Sequence, residues 1–125
     1  IINKWKLEDV VYRTRLPNLT VIPGGKAAVD FPEAFQSPGL ARFFREVKSQ
    51  YDLALYDSPP VNRYIDASLL SSAMDGVVLV VRSGHSRRQE VMAAKNEIST
   101  AGGQIRGVVM NDFRSPIPLF LARRL

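Results

Sequence analysis

A chain of 125 residues with 46% hydrophobic content has material for one core, so a single α/β domain over residues 1–125 is the expectation. With no cysteine it can build neither a disulfide nor a thiolate metal site, and a lone histidine argues against a histidine-built metal centre. The net charge of +5 comes from bases scattered among acids, which reads as an ordinary solvated surface rather than a nucleic-acid patch. No apolar stretch approaches the roughly 18 residues of a membrane span, and the first residues lack a signal peptide's charged-then-apolar layout, so the chain reads as soluble.

From Ile1 to Arg15 apolar and charged residues mix, and the spacing of Leu7, Val10 and Val11 predicts a short helix. Pro17-Asn18 breaks the pattern, and Leu19–Ile22 is a β-prone run closed by Pro23-Gly24-Gly25. Asn18-Leu19-Thr20 matches a glycosylation sequon, but nothing suggests secretion. Gly24-Gly25-Lys26 invites a phosphate-loop reading that fails on spacing. The pattern G-x-x-x-x-G-K-S/T would need glycine where Thr20 stands and a hydroxyl where Ala27 stands. Gly24 and Gly25 read instead as a turn at a strand's end, able to lend backbone amides to a ligand.

Ser37-Pro38 supplies a helix cap and a favourable first-turn proline, and Leu40, Phe43, Phe44 and Val47 then recur at helical spacing. Leu53–Tyr56 has no polar face, as a parallel strand buried on both sides requires, and Pro59-Pro60 cannot continue a ladder. Asp57 therefore stands at a strand's carboxyl end, the edge where open α/β sheets bind ligands. A carboxylate there suits magnesium held through water beside phosphate oxygens, or else it caps the next turn. Asp66 can cap a helix whose Leu69, Leu70 and Ala73 face inward, ending near Asp75-Gly76.

Val77–Val81 is another run without a polar face, expected to be central and covered on both sides, and it ends in Arg82-Ser83-Gly84-His85. Ser86-Arg87-Arg88-Gln89 has the form of a capping box for a helix whose Val91, Ala94, Ile98 and Ala101 share a face until Gly102-Gly103. A last strand, Ile105–Met110, terminates in Asn111-Asp112. The alternation of strand and helix implies a three-layer sandwich with a mostly parallel sheet. It would bring the loops at residues 23–26, 57–60, 82–85 and 111–114 to one edge. Asn111, whose amide both donates and accepts, suits reading a base edge, or is a turn residue after a strand. No Ser/His/Asp set is arranged for nucleophilic catalysis, and His85 reads as a solvated loop residue.

These residues resemble the cytoplasmic ATP-binding domain of bacterial tyrosine autokinases that serve capsular and exopolysaccharide synthesis and export. Leu19-Thr20-Val21-Ile22-Pro23-Gly24-Gly25 is similar to that family's "LxVLPAG", and Ser37-Pro38-Gly39-Leu40 to the start of its following helix. Tyr51-Asp52-Leu53-Ala54-Leu55-Tyr56-Asp57-Ser58-Pro59-Pro60-Val61 is similar to "YDxVIIDTPPV", its Walker B segment. Asp66-Ala67, Asp75–Arg82 and Gly107–Asn111 resemble "DA", "DGVLLVVR" and "GVVLN" in the same order.

The resemblance implies part of a P-loop NTPase domain of the MinD/ParA-like class, using ATP and magnesium. Asp57 would be its catalytic Walker B carboxylate and magnesium ligand, Asn111 would lie near adenine, and Gly24, Gly25 and Pro59 would join the nucleotide site. It implies a cytoplasmic location at the inner face of the cell membrane, a membrane-anchored polysaccharide chain-length regulator as partner, possible homo-oligomers, and no nucleic acid. The family's Walker A loop and second acidic motif precede the segment where this chain begins. Residues 113–125, read as a flexible or docked tail, hold no tyrosine cluster, which points to the exopolysaccharide-transport branch. A non-catalytic scaffold of the export machinery is the alternative. A phosphoacceptor receiver domain, with Ser83 as its hydroxyl, would need an acidic pair where Pro23-Gly24 stand and a lysine where Asn111-Asp112 stand.

Overall fold

In the computed structural model, which describes residues 6–24 and 31–113, the chain divides into two compact units, Ile1–Asp57 and Ser58–Leu125. In the first, the predicted short helix is α1 (Leu7–Val10), anchored by the fully buried Leu7. Its first turn is tied back by the Lys6 N–H donating to the Asp9 carboxylate at 3.1 Å. The next two elements differ from the expected parallel strand. β1 (Tyr12–Arg13) and β2 (Thr20–Val21) pair antiparallel, Tyr12 opposite Val21 and Arg13 opposite Thr20. The cause is local: the Thr14 hydroxyl donates to the Leu19 carbonyl at 2.9 Å and accepts the Leu16 N–H at 3.1 Å, closing the turn around Pro17-Asn18.

After α2 (Phe31–Phe35), α3 (Pro38–Gln50) begins where the sequence places it, with the Ser37 hydroxyl accepting the Leu40 N–H and Pro38 in the first turn. Val47 is buried and Leu40, Phe43 and Phe44 are half-buried, so the predicted face is the inward one. Phe44 meets Tyr56 edge-on, with ring centroids 5.5 Å apart. Leu53–Tyr56 forms no ladder among the described residues, and Leu53 and Leu55 are 75% and 87% exposed. The apolar run is there, but within the described residues of this unit no strand pairs with it and the expected burial on two faces is not realised.

The second unit holds α4 (Ile65–Ala73), β3 (Val77–Arg82), α5 (Arg88–Thr100) and β4 (Ile105–Asn111). β3 and β4 pair in parallel, Val78 opposite Gly107 through Arg82 opposite Asn111, with a register irregularity at Val77/Val78. This is the α/β arrangement with a parallel sheet that the alternation predicts. Coverage is thinner than expected, because the half-buried Val77, Leu79 and Val81 alternate with Val78 and Val80, which are 57% and 62% exposed.

Helix ends also shift. Tyr64, not Asp66, is the N-cap of α4, and Asp66 lies in the first turn, where a carboxylate favours the positive end of the helix dipole. The inward residues are Ala67, Ser68 and Ser71, while Leu69 and Leu70 are half-buried and Ala73 is exposed. Serine can replace the expected leucine there because both hydroxyls are satisfied: Ser68 Oγ donates to Glu97 Oε1, and Ser71 Oγ to the Ser68 carbonyl at 2.6 Å. α5 starts one residue later than predicted. Its Arg87 N–H donates to Glu90 Oε2 at 2.9 Å, while the Ser86 hydroxyl is taken by the Arg82 N–H. Ala94 and Ile98 are buried on its inward face, and Gly102, at φ +89°, ends it.

Candidate functional site

Of the sequence-predicted site residues, Gly24 and Asp57 belong to the first unit and Pro59 and Asn111 to the second. Gly25 and the tail from Arg114 onward lie outside the described residues. Asp57 is exposed and follows directly on Tyr56, whose ring is held against Phe44; partial burial pushes the Tyr56 phenol pKa up. Among the described residues nothing hydrogen-bonds or ion-pairs with the Asp57 carboxylate. A free carboxylate fits magnesium, which proteins hold through one or two carboxylates while substrate phosphates and water complete the octahedron. Among the described residues no three His, Cys, Asp or Glu side chains group into a metal cage.

Gly24 is exposed, with open space where a side chain would stand. Ser58 Oγ donates to the Pro59 carbonyl at 3.3 Å, and the Pro60 carbonyl accepts from the Arg63 and Tyr64 N–H groups at 3.0 and 3.2 Å. The two prolines thus stop extended structure and launch a turn that leads into α4.

At the carboxyl edge of β3 and β4 four residues converge. Arg82 pairs with Asn111 in register, and the Ser83 N–H donates to the Asn111 carbonyl at 2.9 Å, carrying the ladder one step past the strand. Arg82 Nε donates to Asp112 Oδ2 at 2.6 Å, and Asp112 adopts a left-handed φ of +54°. Its N–H donates in turn to the Asn111 side-chain oxygen at 2.9 Å. The Arg82 carbonyl accepts from His85 and Ser86, folding the following loop over Gly84 at φ +71°. Sequence reasoning placed Asn111 on this edge and missed the Arg82–Asp112 pair. The available signal was a base ending one strand and an acid just past the end of the next, which parallel register sets side by side.

A cavity of about 560 Å³ in the first unit, bordered by Leu7, Arg13, Leu19, Gln50 and Tyr51, contains none of the predicted site residues. No helix of the described residues is long and apolar enough to cross a membrane.

No family model matches the chain. Among curated proteins, the putative tyrosine-protein kinase CapB of Staphylococcus aureus is 33% identical over 111 residues, covering 89% of this chain and 49% of CapB. The tyrosine-protein kinase CpsD of Streptococcus agalactiae is 28% identical over 114 residues, 91% of this chain and 50% of CpsD. Among solved structures, the chimerical protein CapA2B2 superposes with a TM-score of 0.83 at 29% identity, covering 91% of this chain and 50% of that one. The kinase domain of VpsO gives 0.82 at 25% identity, 90% and 56%. The chain spans about half the length of these curated relatives. By sequence its relatives are bacterial tyrosine-protein kinases, and by fold its neighbours are kinase domains of the same kind.

Proposed function

We propose that this chain is part of an ATP-binding, tyrosine-autokinase-like domain that regulates chain length and export of a capsular or exocellular polysaccharide. The observation that carries the reading is Asn111 at the carboxyl end of a parallel strand pair, the edge where such sheets bind ligands, in a chain whose relatives are tyrosine-protein kinases. Asp57 is the catalytic Walker B carboxylate and holds magnesium; Asn111 contacts adenine; Gly24, Gly25 and Pro59 line the nucleotide. The domain works at the inner face of the membrane with a membrane-anchored chain-length regulator, as a homo-oligomer.

A second reading is a non-catalytic scaffold of the export machinery. These 125 residues contain no G-x-x-x-x-G-K-S/T loop, whose amides and lysine supply most of the affinity for a triphosphate. Asp57 without that loop sets a carboxylate against unneutralised phosphates. Titration calorimetry of the 125-residue chain with magnesium-ATP is therefore expected to show at best millimolar binding, roughly −4 kcal/mol. At full coding length, affinity should rise by orders of magnitude, and Asp57→Asn should weaken its magnesium-dependent part with the fold intact. Absence of magnesium-ATP binding at full coding length would leave the scaffold reading standing. Micromolar binding by the 125 residues alone would make Gly24, Gly25 and Lys26 a working phosphate site.

A further inference from the structure

Asn111 is held more firmly than an exposed strand-end amide requires. Its backbone carbonyl takes the Ser83 N–H and its side-chain oxygen takes the N–H of Asp112, both at 2.9 Å. A backbone N–H can only donate, so the side-chain atom facing it is the oxygen, and the NH2 group is left on the far side of the carboxamide. The bond depends on Asp112 keeping its left-handed conformation, which a non-glycine residue adopts at some cost. Arg82 reaches the same residue, its Nε extending from the end of β3 to Asp112 Oδ2 at 2.6 Å. The positively charged partner, the strained backbone and the oriented amide form one connected chain of contacts spanning the two strand ends.

We propose that Arg82 and Asp112 are positioning residues that present Asn111 to the nucleobase as a hydrogen-bond donor. This rests on the reading of Asn111 as the base contact and specifies what it reads. A donor needs a ring acceptor such as N7, which adenine and guanine share, whereas telling the two apart needs a group that accepts from the adenine amino group. The donor therefore reads a feature that purines share and pyrimidines lack.

The pair lends itself to a clean test, since both side chains are more than half exposed and such pairs add little to stability. Asp112→Gly keeps the left-handed backbone available and removes only the carboxylate. Binding of ATP, GTP and 7-deaza-ATP is measured by calorimetry on the protein at full coding length, for the wild type, Arg82→Gln, Arg82→Lys, Asp112→Gly and Asn111→Ala. Expected is 7-deaza-ATP weaker than ATP by about two- to tenfold, the worth of one hydrogen bond, with GTP, which shares N7, as a control. Arg82→Gln and Asp112→Gly should bring the ratio of ATP to 7-deaza-ATP towards one with unchanged melting temperature, and Arg82→Lys should retain it. A ratio of ATP to 7-deaza-ATP unaffected by Arg82→Gln and Asp112→Gly overturns the inference while Asn111→Ala still weakens binding and keeps the base contact. If Asn111→Ala changes no dissociation constant, the base-contact reading falls and the inference with it.

Discussion

Replacing Gly103 by alanine should destabilise the second unit by about 1–3 kcal/mol, the usual cost of overpacking a filled core. A Cβ at Gly103 would stand 2.5 Å from Ser71 Oγ, 2.7 Å from Ser71 Cβ and 2.8 Å from Ile98 Cγ2. All three distances are shorter than a carbon tolerates, and the neighbours cannot swing aside. Ser71 and Ile98 are 4% and 3% exposed, and the serine hydroxyl is committed to the Ser68 carbonyl. With a urea dependence of about 2 kcal/mol per molar, usual for a small protein, the unfolding midpoint should fall by about 0.5–1.5 M. Two comparisons isolate the cause. Gly107→Ala meets nothing within 4 Å and should stay within about 0.5 kcal/mol of the parent. Ser71→Gly removes two of the three clashes, so Gly103→Ala should cost less in that background, even though glycine inside α4 costs up to about 1 kcal/mol by itself. An unchanged midpoint for Gly103→Ala, or a cost equal with and without Ser71, would refute the close approach of α4 to the end of α5.

Two further outcomes follow from the first unit, both read from denaturation midpoints. Burial raises the Tyr56 phenol pKa above its unfolded value of about 10, so the folded state holds that proton more tightly. Stability is then fully present below pH 10 and lost as pH rises through the folded value; midpoints from pH 8 to 11 should fall more steeply for the wild type than for Tyr56→Phe, and equal slopes would count against it. Ser37→Ala, which strips the cap from the Leu40 N–H, should cost about 1 kcal/mol, whereas Ser37→Asp should cost almost nothing; equal losses would mean that the hydroxyl is not the cap.

What the sequence made legible here is what is decided locally. Ser37-Pro38 starts α3 because a cap and a first-turn proline act within four residues, and the parallel course of β3 and β4 follows from a strand, a 13-residue helix and a strand in succession. Competition between equally local choices was harder to read. Ser86 and Gln89 look like a capping pair, yet the Arg82 N–H claims the serine and the charged Glu90 suits the helix dipole better than the neutral Gln89. Thr14 turned an expected sheet strand into a hairpin arm for the same reason, by offering its hydroxyl to the turn. The apolar runs erred differently. Leu53, Leu55, Val78 and Val80 state how much surface calls for cover, but nothing in a run says which residues provide it.

The candidate site shows the same division between what one position dictates and what register dictates. An acid before two prolines, or an amide after an apolar run, can be picked out one residue at a time, and both Asp57 and Asn111 stand exposed beyond or at the end of their runs. The state of the amide cannot be picked out that way. Which of its two faces is open depends on the φ of Asp112, and Asp112 is paired with an arginine 30 positions earlier that the register of β3 with β4 brings beside it. Shifting β4 by one residue would leave the composition of the edge unchanged and break the ion pair, freeing the carboxamide to accept as readily as it donates. On the proposed reading of Asn111 as the base contact, base preference at this edge depends on strand register, and a substitution that slips the β3–β4 register should alter it without touching Asn111.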